Sequence, residues 1–151
     1  MATIRHRVTV DAPLEAVYEA IATADGIGTW WDKQTDVQTD RGLVLEHDPG
    51  PEHGVVKLRV VALVPNRRVE WECVSTHPPT SPASAWTGTH FVFEIETDAQ
   101  SARRPGSAGR ATAVEFRQTG YDERSAFFGA NDAAWGRVLA NLKRVLESAS
   151  R

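Results

Sequence analysis

Apolar and polar residues alternate in short runs along most of the chain, and a helical period replaces the alternation only after the first run and at the C-terminal end. Thr3 to Val10 places Ile4, His6, Val8 and Val10 on one face and polar side chains on the other, which predicts a half-buried strand. Asp11-Ala12-Pro13 then opens a helix, because proline at the first helical position gives up no needed hydrogen bond. Leu14, Val17, Tyr18 and Ile21 follow at helical spacing. A second short helix is expected from Ala24 to Trp31, where Gly26 and Gly28 each cost about 1 kcal/mol relative to alanine.

Short strands follow at Val37 to Thr39 and Leu43 to His47, joined by Asp40-Arg41-Gly42. The stretch His47 to Gly54, with two prolines and two glycines, reads as a turn of solvated charges. Val55 to Val64 and Arg68 to Thr76 form a hairpin about Pro65-Asn66, with Val69, Trp71, Cys73 and Ser75 inward and Glu70 and Glu72 outward. The proline-rich His77 to Ser84 is expected on the surface, His77 with it. Thr87 to Thr97 supplies a strand with Phe91, Phe93 and Ile95 inward and His90 outward; counting from Phe91 turns Trp86 outward unless Gly88 shifts the register. Asp98 to Gly109 reads as a mobile loop. Arg110 to Thr119 is the last strand, with Thr112, Val114, Phe116 and Gln118 on one face. Phe128, Trp135, Val138, Leu139, Leu142, Val145 and Leu146 then recur at intervals that predict a long amphipathic helix.

Helices and strands are thus segregated: a strand, two short helices, about six more antiparallel strands, one long helix. A doubly wound sheet is excluded. The predicted class is α+β, a curled antiparallel sheet of about seven strands wrapped around the C-terminal helix, with an apolar hollow where side chains do not fill the concavity.

Composition sharpens this picture mainly by exclusion. A chain of 151 residues fits one domain, 1–151, and buries about two thirds of its unfolded surface. Seventeen basic against twenty acidic residues, a net charge of −3, leave no basic footprint for nucleic acid. No apolar run has the roughly 20 residues of a membrane span, and the charged start Ile4-Arg5-His6-Arg7 is unlike a signal peptide, so no membrane insertion and a cytoplasmic location are expected. Cys73 is the single cysteine, which forbids an internal disulfide.

Three motifs carry a family resemblance across nearly the whole chain. They are Val8-Thr9-Val10-Asp11-Ala12-Pro13-Leu14-Glu15-Ala16-Val17-Tyr18, then Trp30-Trp31, then Trp135-Gly136-Arg137-Val138-Leu139-Ala140-Asn141-Leu142. In their order and spacing the chain resembles the START-like (SRPBCC) superfamily, in the branch that holds homologues of the heat-shock-protein ATPase activator and polyketide cyclase-like proteins. Here Ala134, rather than the usual glycine, precedes the last-helix tryptophan. The resemblance implies a helix-grip fold and a ligand cavity. It implies no catalytic residue, and one fold hosts many activities.

Candidate ligand contacts are therefore read from the inward faces: Trp31, Trp71, Phe93, Phe116, Phe128, Trp135 and Leu139 as apolar wall, with Cys73 and His6 as polar members. Each aromatic either lines the hollow or fills the core. Of Trp30 and Trp31, one is expected to plug the space beneath the short helices. Ser75, Thr112 and Gln118 are further inward polar groups. His47, Asp48, Glu52 and His53 lack the spacing of a metal site, so neither metal nor cofactor is expected. Gly26-Ile27-Gly28 follows a helix and is no phosphate loop. Cys73 has no base on its face to form a thiolate. The expected function is binding of a small hydrophobic molecule, a lipid or polyketide-like aromatic. Alternatives are a cyclase, dehydratase or hydrolase using the same hollow, and a module with a chaperone partner; a homodimer is compatible with each.

Overall fold

The computed structural model describes residues 1–99 and 111–149. In chain order these form β1 (Ala2–Val10), α1 (Leu14–Ala22), α2 (Ala24–Ile27), β2 (Thr35–Thr39), β3 (Gly42–His47), β4 (Val56–Val64), β5 (Arg68–Cys73), a short 3₁₀ helix (Pro82–Ala85), β6 (His90–Thr97), β7 (Thr112–Tyr121) and α3 (Phe128–Ala149). The strands make one antiparallel sheet in the order β1-β7-β6-β5-β4-β3-β2. The first strand thus pairs with the last. α3 packs on β1 and the 3₁₀ helix, and α1 packs on β5 and β6. This is the expected α+β helix-grip arrangement.

Side-chain parity builds its interior. Trp71 stands opposite Phe91, and Phe93 opposite Val69 on one side and Phe116 on the other, so large rings occupy adjacent positions across β5, β6 and β7. All four rings are almost fully buried. α3 meets them with Asn131, Trp135, Leu139, Leu142 and Leu146, the stripe its period predicts. The outer face carries charges instead. Arg59 bonds Glu72 at 2.7 Å, His90 bonds Glu70 at 2.7 Å, and Arg117 pairs with Glu94. Burial alone would raise the Glu70 carboxyl, but hydrogen bonds from Arg68 and His90 outweigh it and hold the group below its ordinary value.

Several elements differ from expectation. The second helix stops at Ile27, and single turns carry the chain on to Trp31. β2 starts at Thr35, and β7 runs on to Tyr121. β6 starts at His90, three residues later than the alternation suggests, because Gly88 sits at φ +82° and turns the chain there. Trp86 is accordingly turned inward. The proline-rich segment is not a surface loop throughout: Ser81 and Ala83 are buried, and Ser81 caps the 3₁₀ helix by accepting from the Ala83 amide. His77 is half-buried rather than free, bonded to Ser75 Oγ at 2.8 Å and to the His53 carbonyl at 2.7 Å. Of the expected loop Asp98 to Gly109, and of the last strand's predicted start at Arg110, residues 100–110 lie outside the described residues.

Candidate functional site

The concave face of the sheet gathers eight aromatic rings, those of Trp30, Trp31, Trp71, Trp86, Phe91, Phe93, Phe116 and Trp135, into one contiguous cluster. Trp135 stacks on Phe116 with centroids 4.3 Å apart and lies 5.6 Å from Phe91 and 5.1 Å from Trp31. Trp71 and Phe93 are 5.1 Å apart, and Phe93 lies 5.0 Å from Phe116. Such tilted and stacked pairs add about 0.5–1.5 kcal/mol each beyond area burial. The space beneath α3, where the sequence suggests a hollow, is therefore occupied by the rings proposed as its walls.

A cleft of about 180 Å³ reaches this cluster from one side. Trp31 and Trp86 form its aromatic wall, and both touch Trp135, at 5.1 and 6.4 Å. His47 and Val56 come from the sheet, Pro82 and Ala83 from the 3₁₀ helix, Asn131 from α3, and Asp32 and His53 from loops. Local chemistry fixes each piece. Asn131 donates to the Pro82 carbonyl at 3.1 Å and to the Tyr121 hydroxyl, tying α3 to the 3₁₀ helix. Burial, eased by that bond from Asn131, pushes the Tyr121 phenol up to about 12. His53 Nδ1 bonds Ser81 Oγ at 2.6 Å. Trp86 brings an indole N–H that is shielded from solvent and has no hydrogen-bond partner among the described residues.

His47 is the least anticipated member. Instead of a solvated turn residue it is the last inward position of β3, 6% exposed, with its ring edge-on to Trp31 at 4.7 Å. Its Nδ1 lies 3.0 Å from Gln34 Oε1, and its Nε2 lies 3.7 Å from Asp32 Oδ2. Burial lowers its pKa; Asp32 and Asp48 pull it back up, and His77 adds to the lowering. Its inward position follows from the parity it shares with Leu43 and Leu45, because β3 runs through His47 before the chain turns. Trp86 was readable only by knowing the turn at Gly88.

The other predicted contacts separate into three groups. Of the predicted contacts Trp31 joins cleft and cluster, as Trp86, which was not among them, also does. Trp71, Phe93, Phe116, Trp135 and Leu139 lie in the core behind the cleft, and Cys73 is buried with its Sγ 3.5 Å from Ser75 Oγ. Burial pushes the Cys73 thiol up, although Ser75 partly offsets this, so the thiolate is disfavoured. Phe128 and His6 lie elsewhere. Phe128 packs edge-on against Tyr121 at 5.3 Å, and His6 pins β1 to α3 through Asp132, whose carboxylate and carbonyl oxygens both lie 2.9 Å from Nε2. Trp30 is the plug: its indole donates to the Ala20 carbonyl at 2.7 Å. Thr112 is spent on the Ala12 carbonyl, while Gln118 donates to Thr89 and keeps a buried Oε1 with no partner among the described residues. Among the described residues no three metal-capable side chains converge, and no helix is long and apolar enough to cross a membrane.

Comparison with known proteins gives this geometry a context. The chain is similar to the Aha1 dimer from Colwellia psychrerythraea solved in solution, with 26% identity, 97% of each chain covered and a TM-score of 0.75. It is similar in fold to MLL2253 from Mesorhizobium loti, at 19% identity over 97% and 98% of the two chains and a TM-score of 0.70. It is also similar in fold to DynU16, a protein in the dynemicin biosynthetic locus, at 18% identity over 97% of this chain and 48% of that one, with a TM-score of 0.70. No curated protein matches the chain. The sequence pattern of one family spans residues 11–147, from the end of β1 into the last turns of α3, and the chain belongs to that family, described as Activator of Hsp90 ATPase homolog 1-like protein.

Proposed function

We propose that the protein binds a small, largely apolar molecule, best an aromatic one, in the cleft formed by Trp31, Trp86, Val56, Pro82, Ala83 and Asn131. The observation that carries this reading is the continuity of rings from the cleft inward. Trp31 faces the opening and also stacks on Trp71 at 6.2 Å, so a ligand seated against it extends an existing stack. Small-molecule sites join apolar walls to a few placed polar groups, and here His47 and Asn131 are those groups. DynU16, with the same fold, comes from a biosynthetic locus, which agrees with handling of small organic molecules.

A neutral fluorescent probe, N-phenyl-1-naphthylamine, tests the reading. Saturable binding of one probe per chain, abolished by filling the cleft with Ala83→Trp, is expected. A wild-type protein that leaves the probe unbound overturns it.

Acid–base chemistry in the same cleft, as in a cyclase, dehydratase or hydrolase, is the second reading, and the approach of His47 to Asp32 favours it. A bound aromatic recovered with unchanged mass after long incubation counts against it. In either case self-association is part of the proposal. The Colwellia relative is a dimer, and Val61, Leu63 and Val64 lie about 40% exposed toward the end of β4. Sedimentation at two concentrations distinguishes monomer from dimer.

A further inference from the structure

Gln34 and His47 settle each other's hydrogen positions. The Gln34 side-chain nitrogen lies 2.6 Å from the Asp32 carbonyl, an acceptor with no hydrogen to give, so the amide group must face Asp32 with its NH₂. The Gln34 oxygen is then the atom 3.0 Å from His47 Nδ1. Two acceptors cannot share that contact, so Nδ1 carries the proton, and in the neutral ring Nε2 carries the lone pair. Both residues are 6% exposed, so the arrangement is held inside the protein. Asp32 Oδ2, at 3.7 Å from Nε2, is too distant for a hydrogen bond and is itself an acceptor. His47 thus offers the cleft an acceptor that the described residues do not use.

The groups around it set a second preference. Asp32 lines the cleft and is about half exposed, Glu52 lies 3.6 Å from the cleft residue His53, and Asp48 follows His47 directly. The nearest other imidazoles are engaged: His53 with Ser81 and, at 3.6 Å, with Glu52; His77 with Ser75 and the His53 carbonyl. An anionic ligand meets these carboxylates without a free cation in the cleft wall, whereas a neutral ligand does not suffer the repulsion.

Resting on the reading of this cleft as an aromatic-binding site, we infer that it selects neutral aromatic molecules carrying a hydroxyl, whose O–H donates to His47 Nε2, over their ethers and over aromatic carboxylates. β-Naphthol, its methyl ether and β-naphthoate share one ring system and separate the terms. Titrated near neutral pH by tryptophan quenching, β-naphthol is expected to bind about 3- to 10-fold more tightly than the ether, the difference one neutral hydrogen bond makes. Naphthoate is expected to bind more weakly than either. His47→Phe should bring naphthol and ether to equal affinity. Equal affinity in the wild type, or preferred binding of naphthoate, overturns the inference and leaves the cleft reading standing; failure of naphthol and ether alike overturns both. The wild-type comparison decides the matter even if the variant does not fold.

Discussion

Trp135→Ala removes the ring on which the cluster turns. The side chain is 2% exposed, and its ring lies within 4.3–6.4 Å of four others, those of Phe116, Trp31, Phe91 and Trp86. Truncating a buried tryptophan to alanine costs about 3–5 kcal/mol, the lost transfer energy plus the void that neighbours fail to refill. The upper half of that range is expected here, because the surrounding rings are stiff and α3 is held off the sheet by Leu139, Leu142 and Leu146. Against a total stability of about 5–15 kcal/mol, this is a large fraction. It corresponds to a fall in Tm of roughly 8–20 °C for a chain of this size. Because Trp31 and Trp86 line the cleft and touch Trp135, the void opens toward the cleft, and added indole should refill it. At ten times its dissociation constant, indole restores about 1.4 kcal/mol. Equilibrium urea unfolding with and without indole reads both numbers. A loss below about 1 kcal/mol refutes the packing, and a full loss indifferent to indole refutes the continuity between cluster and cleft.

The remaining predictions use the same unfolding assay. Trp30→Phe and Trp86→Phe remove the same indole, yet their effects should differ: the first orphans the Ala20 carbonyl in the last turn of α1 and costs about 1–3 kcal/mol, whereas the second also removes an unpartnered buried N–H and costs less than about 1 kcal/mol. Gly26→Ala should destabilise by about 1–3 kcal/mol, although helix propensity alone favours alanine by about 1 kcal/mol, because a Cβ there stands 2.1 Å from the Glu19 carbonyl oxygen. Acid should weaken the fold in two steps. His47 has a folded pKa below its unfolded value of about 6.5, so the unfolded chain binds the proton first and stability falls as the pH drops from about 6.5 through the lowered value. Glu70, depressed in the fold, contributes stability above its ordinary pKa that is lost as the pH falls through the folded one. His47→Leu should flatten the upper step alone.

The extent to which this was legible in sequence follows from which physical rule governs each residue. Trp71, Phe93, Phe116 and Trp135 sit where parity and helical period place them, because uninterrupted strands and one uninterrupted helix carry them. Trp86 and His47 border turns, where one residue of left-handed backbone or one more residue of strand reverses the face. Their roles depend on the φ of Gly88 and on β3 extending through His47. Whether the sheet's concavity holds a hollow or packed rings depends on summed side-chain volume and rotamers, which alternation does not encode. His6 has inward parity yet lies on an edge strand, where α3 takes it up through Asp132.

The central claim is that ligands enter at Trp31 and Trp86 and stack on rings already present. Titrating β-naphthol into ¹⁵N-labelled protein and following the indole N–H resonances of the five tryptophans tests it most directly. Saturable shifts at Trp31 and Trp86, with Trp30 unmoved because its N–H is held by Ala20, are the predicted result. Shifts absent from both cleft tryptophans, or confined to Trp30 and Trp71, contradict the account.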